Sequence, residues 1–272
     1  MTRGGFTWRV GDRYVHGYAT EEQRRLQIQA QHWRDELIVA GTHLPPGTRL
    51  LEVGCGVGAV LGILGEAFPG VGLTGVDIEE RQLEAARAHL DALGLAADLR
   101  CADALALPFA DESFDHVWMM WFLEHVTDPV AALREARRLL VPGGELTAIE
   151  VDYNTAWAEP STAGFEALFT AVARAMESSG RSDAGTRLPE WLAAAGFTTV
   201  DPGERRLRYA GVELGRQVPY VADVVESTLP GLAATAGAPL EQLEEGLVHL
   251  RALPDLPGAA LGWDLHKARA SR

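Results

Sequence analysis

Leu50-Leu51-Glu52-Val53 runs directly into Gly54-Cys55-Gly56-Val57-Gly58. The first four residues read as a short apolar strand. The alternating glycines then predict a tight turn, since glycine reaches positive φ and lets a ligand approach the main chain closely. Residues 57–68 follow as a helix closed by Pro69-Gly70, and a helix N-terminus offers unpaired N–H groups. The same alternation continues down the chain. Val71 to Val76 is a second strand ending at Asp77, and residues 79–93 are a helix stopped by Gly94. Asp98 to Cys101 is a third strand and Phe114 to Trp121 a fourth. Asp128-Pro129 opens a helix that ends before Pro142-Gly143-Gly144, and Glu145 to Val151 is a fifth strand. Short apolar strands alternating with helices imply an α/β fold whose parallel sheet is covered on both faces.

Beyond Asp152, residues 160–178 and Leu188 to Ala195 read as helices, and Thr198 to Tyr209 alternates like a strand. Residues 212–252 carry two or three helical patterns, and 259–269 read as a final strand. Ahead of the core, a helix is expected from Thr20 to Ala40, with Gly41 as its cap.

Charge and composition exclude several classes of partner. Lys and Arg number 24 and Asp and Glu 38, a net charge of −14, which disfavours nucleic acid and anionic membranes. No run of eighteen apolar residues exists, so no membrane span is expected, and Met1 to Gly5 lacks an apolar signal core. The two cysteines, Cys55 and Cys101, make no disulfide framework and no zinc site, so no metal is expected. A cytoplasmic protein is the expectation.

The glycine turn alone leaves two readings open, because Gly54, Gly56 and Ala59 also fit the G-x-G-x-x-G/A dinucleotide fingerprint. Asp77, 25 residues after Glu52, suits ribose hydroxyls in either case. Glu52, two residues before the first glycine, would repel a pyrophosphate and tolerate a cation. Then follow Asp103-Ala104, Leu107-Pro108-Phe109, Phe114-Asp115, Leu123-Glu124-His125-Val126 and Leu140-Val141-Pro142-Gly143-Gly144. In order and spacing these strongly resemble the class I S-adenosylmethionine-dependent methyltransferases, in the ubiquinone-biosynthesis-like branch that acts on small molecules. The resemblance is close over residues 48–152. It extends loosely to Tyr14-Val15-His16-Gly17-Tyr18 and Gly185-Thr186-Arg187-Leu188.

The resemblance implies a three-layer Rossmann-like methyltransferase fold. Its mostly parallel seven-stranded sheet would have an antiparallel edge and a helical cap. It divides the chain into an N-terminal helical segment over the cofactor (1–45), a cofactor-binding core (46–210), a helical cap insertion (211–256) and a final core strand (257–272). By the same resemblance Gly54, Cys55, Gly56 and Gly58 make the loop beneath the methionine moiety, and Glu52 orients that loop or meets the ligand amino group. Asp77 binds the ribose, Ile78 packs on the adenine, and Asp103 and Ala104 take its amino edge. Met119, Met120, Trp121 and His125 lie near the methionine end, with Tyr14 and Tyr18 closing over the site.

Methyl transfer from a sulfonium needs orientation and a dry pocket, and a base only where the nucleophile must lose a proton. Asp152, Glu150, Tyr153 and His16 are the candidates for that base. Glu150 and Tyr153 also count as acceptor contacts, together with Trp121, Trp157 and Tyr220, which could form an aromatic wall. This favours an aromatic or indole-like acceptor, with C- or N-methylation ranked above O-methylation. The expected product is S-adenosylhomocysteine, and a homodimer is one expected assembly. An NAD-dependent oxidoreductase and a non-catalytic cofactor-binding protein are the alternatives.

Overall fold

A computed structural model describes residues 20–272. Helix α1 (Thr20–His32) leads into a single π-helical stretch, Arg34–Val39, and then the sheet begins. The core elements are β1 (Arg49–Val53), α2 (Ala59–Ala67), β2 (Gly72–Asp77), α3 (Glu80–Ala92), β3 (Ala97–Cys101), β4 (Phe114–Met120), α4 (Pro129–Leu139) and β5 (Leu140–Glu159). Next come α5 (Ala163–Ser179), α6 (Ala184–Ala194), β6 (Thr198–Asp201), β7 (Glu204–Ala210), α7 (Gly211–Ala236), α8 (Leu240–Ala252) and β8 (Ala260–Ser271).

The strands form one sheet in the order β3-β2-β1-β4-β5-β8-β6, with β7 also on β8. β1 to β5 are parallel, whereas β8 runs antiparallel to β5, β6 and β7. β6 and β7 share one edge of β8, with Thr198 opposite Ser271 and Ala210 opposite Ala260. They are one edge strand interrupted at Pro202-Gly203, so eight strands fill seven positions. Gly203 is required there. Its φ is +74°, and a Cβ would stand 2.0 Å from the Lys267 carbonyl oxygen. The Gly203 oxygen in turn accepts from the Lys267 N–H at 2.9 Å.

The period-2 alternation of each strand feeds two apolar layers. Leu50, Trp118 and Ile149 face a core shared with α1, α2, α5, α7 and α8. Leu51, Val117, Met119 and Leu146 face a second core shared with α4 and α6. α4 starts as its sequence dictates: Asp128 accepts from the Ala131 N–H at 2.9 Å, with Pro129 in the first turn. α7 continues through Pro219 and Pro230 to Ala236 and packs with α5 and α8. Lys267, the only lysine of the chain, is buried in β8. Its Nζ donates to the Leu37 and Ala40 carbonyls, both at 2.6 Å, and to Thr42 Oγ1 at 3.1 Å. The end of the π-helical stretch is thereby fastened to the sheet. Among the described residues no helix is long and apolar enough to cross a membrane.

Candidate functional site

The carboxyl ends of the parallel strands open onto a cavity of about 830 Å³, within the size range of small-molecule sites. Its floor is laid in sheet order. β3 leads to Asp103 and Ala104, β2 to Asp77 and Ile78, β1 to Glu52 and the glycine loop, β4 to Trp121, Phe122 and residues 124–127, and β5 contributes Tyr153. Five strands at about 4.8 Å spacing give a floor roughly 19 Å wide. α1 supplies Arg25 and Gln29, while α5 and α7 supply an apolar roof that includes Val172, Met176, Val225 and Leu232.

The loop is fixed by β2. Gly54 and Cys55 donate to the Val76 carbonyl at 2.8 and 2.9 Å, and the Gly56 N–H donates to Asp77 Oδ2 at 2.8 Å. Asp77 Oδ1 accepts from Glu79 N–H at 3.0 Å. Gly54, with φ +76°, lies against the ring of Phe122, where a Cβ would be 2.2 Å from Cδ2. Gly56, with φ +48°, has nothing within 4 Å of where a Cβ would point, so the main chain faces open space there. Glu52 is 3% exposed, and its Oε2 has no hydrogen-bond partner. Burial above all pushes the Glu52 and Asp77 carboxyls upward from their ordinary range. A ligand that brings donors or positive charge would relieve both. Asp103 is exposed at the rim and accepts from Leu105 N–H at 2.9 Å, which fixes its own turn.

At the end of β4 the chain leaves the sheet at Trp121, whose φ is +49°. The next two N–H groups, of Phe122 and Leu123, donate to Glu150 Oε1 at 3.0 and 2.7 Å. Glu150 is therefore a fully buried acceptor beneath this turn and does not line the cavity, which corrects its expected role as base or acceptor contact. Burial, and then the charge of Glu124, push its carboxyl well up. Asp152 also lies outside the cavity. It sits where the β5–β8 register breaks and accepts from the N–H and the Nδ2 of Asn154 and from the Thr186 hydroxyl. Those bonds make it a cap for the strand exit. Tyr153 does line the cavity, and its hydroxyl donates to Glu124 Oε1 at 3.2 Å. Burial and the two neighbouring glutamates push its phenol well above the ordinary value, and its hydroxyl serves as a donor to Glu124.

Other expected contacts separate in the same way. Met120, Trp121 and His125 line the cavity, while Met119 is sealed in the core. Gly58 is the N-cap of α2, with φ +70°, packed against Ala86. Trp157 lies opposite Gly262 in the β5–β8 ladder, away from the cavity. Tyr220 stacks on His32 at 4.1 Å between ring centroids and accepts from Trp33 Nε1 at 3.2 Å. Trp33 in turn meets Trp121 edge-on at 6.4 Å. The aromatic cluster thus backs the Trp121 wall, and Tyr220 itself does not line the cavity. Tyr14, His16 and Tyr18 lie outside the described residues.

Sequence reasoning missed Arg25, Gln29 and the roof residues of α5 and α7, which carry no local motif. It also passed over Glu124 as a site residue, since that residue entered only as part of the Leu123-Glu124-His125-Val126 motif. Its alternation with buried Leu123 gave no sign that its carboxylate would line a cavity.

Residues 51–148 match the family model described as a methyltransferase domain. The 27-O-demethylrifamycin SV methyltransferase of Amycolatopsis mediterranei (strain S699) is 36% identical over 160 residues, 58% of this chain and 56% of that protein. A ubiquinone biosynthesis O-methyltransferase of Dinoroseobacter shibae is 38% identical over 130 residues, 47% of this chain and 50% of that protein. The chain spans about half the length of these curated relatives. Among solved structures, the [4+2]-cyclase SpnF shares the fold at a TM-score of 0.55 and 23% identity, over 95% of this chain and 85% of that one. A SAM-dependent methyltransferase from Aquifex aeolicus does so at 0.54 and 16%, over 68% and 92%. The glycine loop, Asp77, Asp103 and the turn after β4 all lie within the stretch that matches the methyltransferase-domain model.

Proposed function

We propose that this chain transfers a methyl group from S-adenosylmethionine to a small, largely apolar organic acceptor. The observation that carries this reading is Glu52, a buried carboxylate with a free oxygen on the floor of the glycine loop. A ligand with an ammonium and a sulfonium would supply the donor and positive charge that this buried carboxyl lacks, whereas a pyrophosphate brings only acceptors and negative charge. This disfavours the NAD-dependent alternative.

In this reading Asp77 takes the ribose hydroxyls, and Asp103 with the Ala104 N–H takes the adenine edge. The open main chain at Gly56 accommodates the close approach, and Glu52 meets the amino group. The bound cofactor supplies an activated methyl group, and the protein supplies position and a dry surround. Trp121 and Tyr153 give one wall of the acceptor compartment, and the apolar residues of α5 and α7 give its roof. An aromatic acceptor is compatible with these two rings. The divisions 1–45, 46–210, 211–256 and 257–272 then correspond to cover, core, cap and closing strand. A net charge of −14 disfavours nucleic acid as acceptor. One solved neighbour is named a [4+2]-cyclase, so the shared fold alone does not dictate the reaction.

Calorimetric titration tests the reading. S-adenosylhomocysteine should bind while NADH should not, and labelled S-adenosylmethionine should pass its methyl group to at least one member of a panel of phenols, indoles and amines. Affinity for NADH with none for S-adenosylhomocysteine would reverse the conclusion. Affinity for S-adenosylhomocysteine with no turnover on any panel member would favour a non-catalytic role.

A further inference from the structure

Sheet order divides the cavity. A nucleoside held by Asp77 and Asp103 lies over β2 and β3, whereas Glu124 and Tyr153 stand beyond β1, on the β4 and β5 side. About three strand spacings, roughly 14 Å, separate β2 from β5. The far side mixes apolar residues of α5 and α7 with the polar groups of His125, Thr127, Tyr153 and Ser179, and Glu124 is its buried carboxylate.

Glu124 sits in the short 3₁₀ turn Leu123–His125 and is 2% exposed. Its backbone is clamped: the Glu124 carbonyl accepts from the Arg181 N–H at 2.9 Å, and α5 ends so tightly over it that a Cβ on Gly180 would meet that oxygen at 2.1 Å. Oε1 of the side chain accepts from the Tyr153 hydroxyl at 3.2 Å and lies 3.3 Å from His125 Nε2. Oε2 has no partner. A buried carboxylate oxygen without a donor is costly, and a fixed backbone cannot swing it into water. Of the residues around it, Tyr153 and His125 line the cavity as Glu124 does.

We propose that Glu124 is the acceptor-side anchor of the cavity, its free oxygen taking the N–H or O–H of the group to be methylated, so that the acceptor is an amine, alcohol or phenol. The proposal rests on the methyl-transfer reading above and narrows it. Carbon nucleophiles lacking a donor would leave the oxygen unpaired and be selected against.

Sinefungin, in which a C–NH₃⁺ group replaces the S–CH₃ group, places a cationic donor at the transfer point without any acceptor being known. Its affinity and that of S-adenosylhomocysteine are measured by calorimetry for the wild type and for Glu124→Gln. The expected result is a melting temperature that does not fall and an unchanged S-adenosylhomocysteine affinity, with sinefungin weakened relative to it by about tenfold or more, the loss of one charge-assisted bond. An unchanged ratio overturns the proposal, because Oε2 is then turned toward Glu150, whose own Oε2 is also without a partner. Should Glu124→Gln fail to fold, Glu124→Asp draws the carboxylate back by one methylene, and its ratio must fall for the proposal to stand. A wild type that binds neither compound overturns the methyl-transfer reading and this proposal with it. Binding of both with an unmoved ratio overturns this proposal alone.

Discussion

Replacing Asp77 by Asn separates the two tasks of that carboxylate. In the protein Oδ2 accepts from Gly56 N–H and Oδ1 from Glu79 N–H, at 2.8 and 3.0 Å. Asn keeps one acceptor oxygen and turns an NH₂ toward the other N–H, which leaves a backbone donor unpaired at a cost of about 1–3 kcal/mol. Part of this is offset, because burial raises the Asp77 carboxyl and Asn is free of that penalty. A net loss of about 1–2 kcal/mol follows, a fall of about 2–8 °C in melting temperature for a chain of this size. Affinity for S-adenosylhomocysteine should fall further, by about 1–3 kcal/mol or roughly five- to 150-fold, because the diol loses a charged acceptor. Calorimetric titration and thermal melting at pH 8 measure the two effects. A lowered melting temperature with undiminished affinity would refute the assignment and leave Asp77 as a strap for the loop. The pH dependence has a definite sign. A carboxyl raised in the folded state contributes stability that is present below its unfolded value of 3.8 and lost as pH rises through its folded value. Ligand affinity runs the other way in the wild type, weakening as pH falls through that raised value, and the Asn variant lacks this dependence.

Glu150→Gln should be neutral or stabilising at pH 8, since Gln Oε1 still accepts from Phe122 and Leu123 while a buried, upward-shifted carboxyl is removed; Glu150→Ala should lose about 2–4 kcal/mol, as two N–H groups are orphaned, and denaturant titration compares the two. Gly203→Ala should cost at least about 2 kcal/mol through its positive φ and the Lys267 backbone in its path, and soluble, fully stable protein would contradict the edge-strand geometry. Lys267 should resist acylation by an amine reagent in the native protein and react on unfolding, as peptide mapping would detect; rapid native labelling would contradict its three buried bonds. Burial, with Arg205 and Arg269, pushes Lys267 down to about 8, so between that value and 10.5 the unfolded chain holds the extra proton and stability from this group rises with pH. Lys267→Met should abolish that rise.

The alternation of apolar strands and helices was legible because each break carries its own chemistry, as at Asp128-Pro129 and Gly94. The glycine loop was legible for the same reason: three alternating glycines after a strand mark a tight turn, and all three have positive φ. Position at a strand end, however, does not tell which way a carboxylate is used. Glu150 and Asp152 stand at the expected end of the fifth strand as site residues would, yet one satisfies the N–H groups of the turn after β4 and the other an N–H two residues on in its own strand. Both partners are distant or loop-borne, so neither shows in the local pattern. Tyr220 likewise meets His32 and Trp33 across more than 180 residues. The roof from α5 and α7 was invisible because its apolar residues have the same periodicity whether they face a core or a cavity.

β8 comes last in element order yet lies between β5 and the interrupted edge of β6 and β7. Until it arrives, residues 198–210 have no neighbour to pair with, and β5 presents a long bare margin. The half of the sheet from β3 to β5 can assemble as synthesis proceeds, while the other half must wait for the closing strand. Any chain cut short before residue 260 would leave two unpaired margins at once, a template for joining with its own kind.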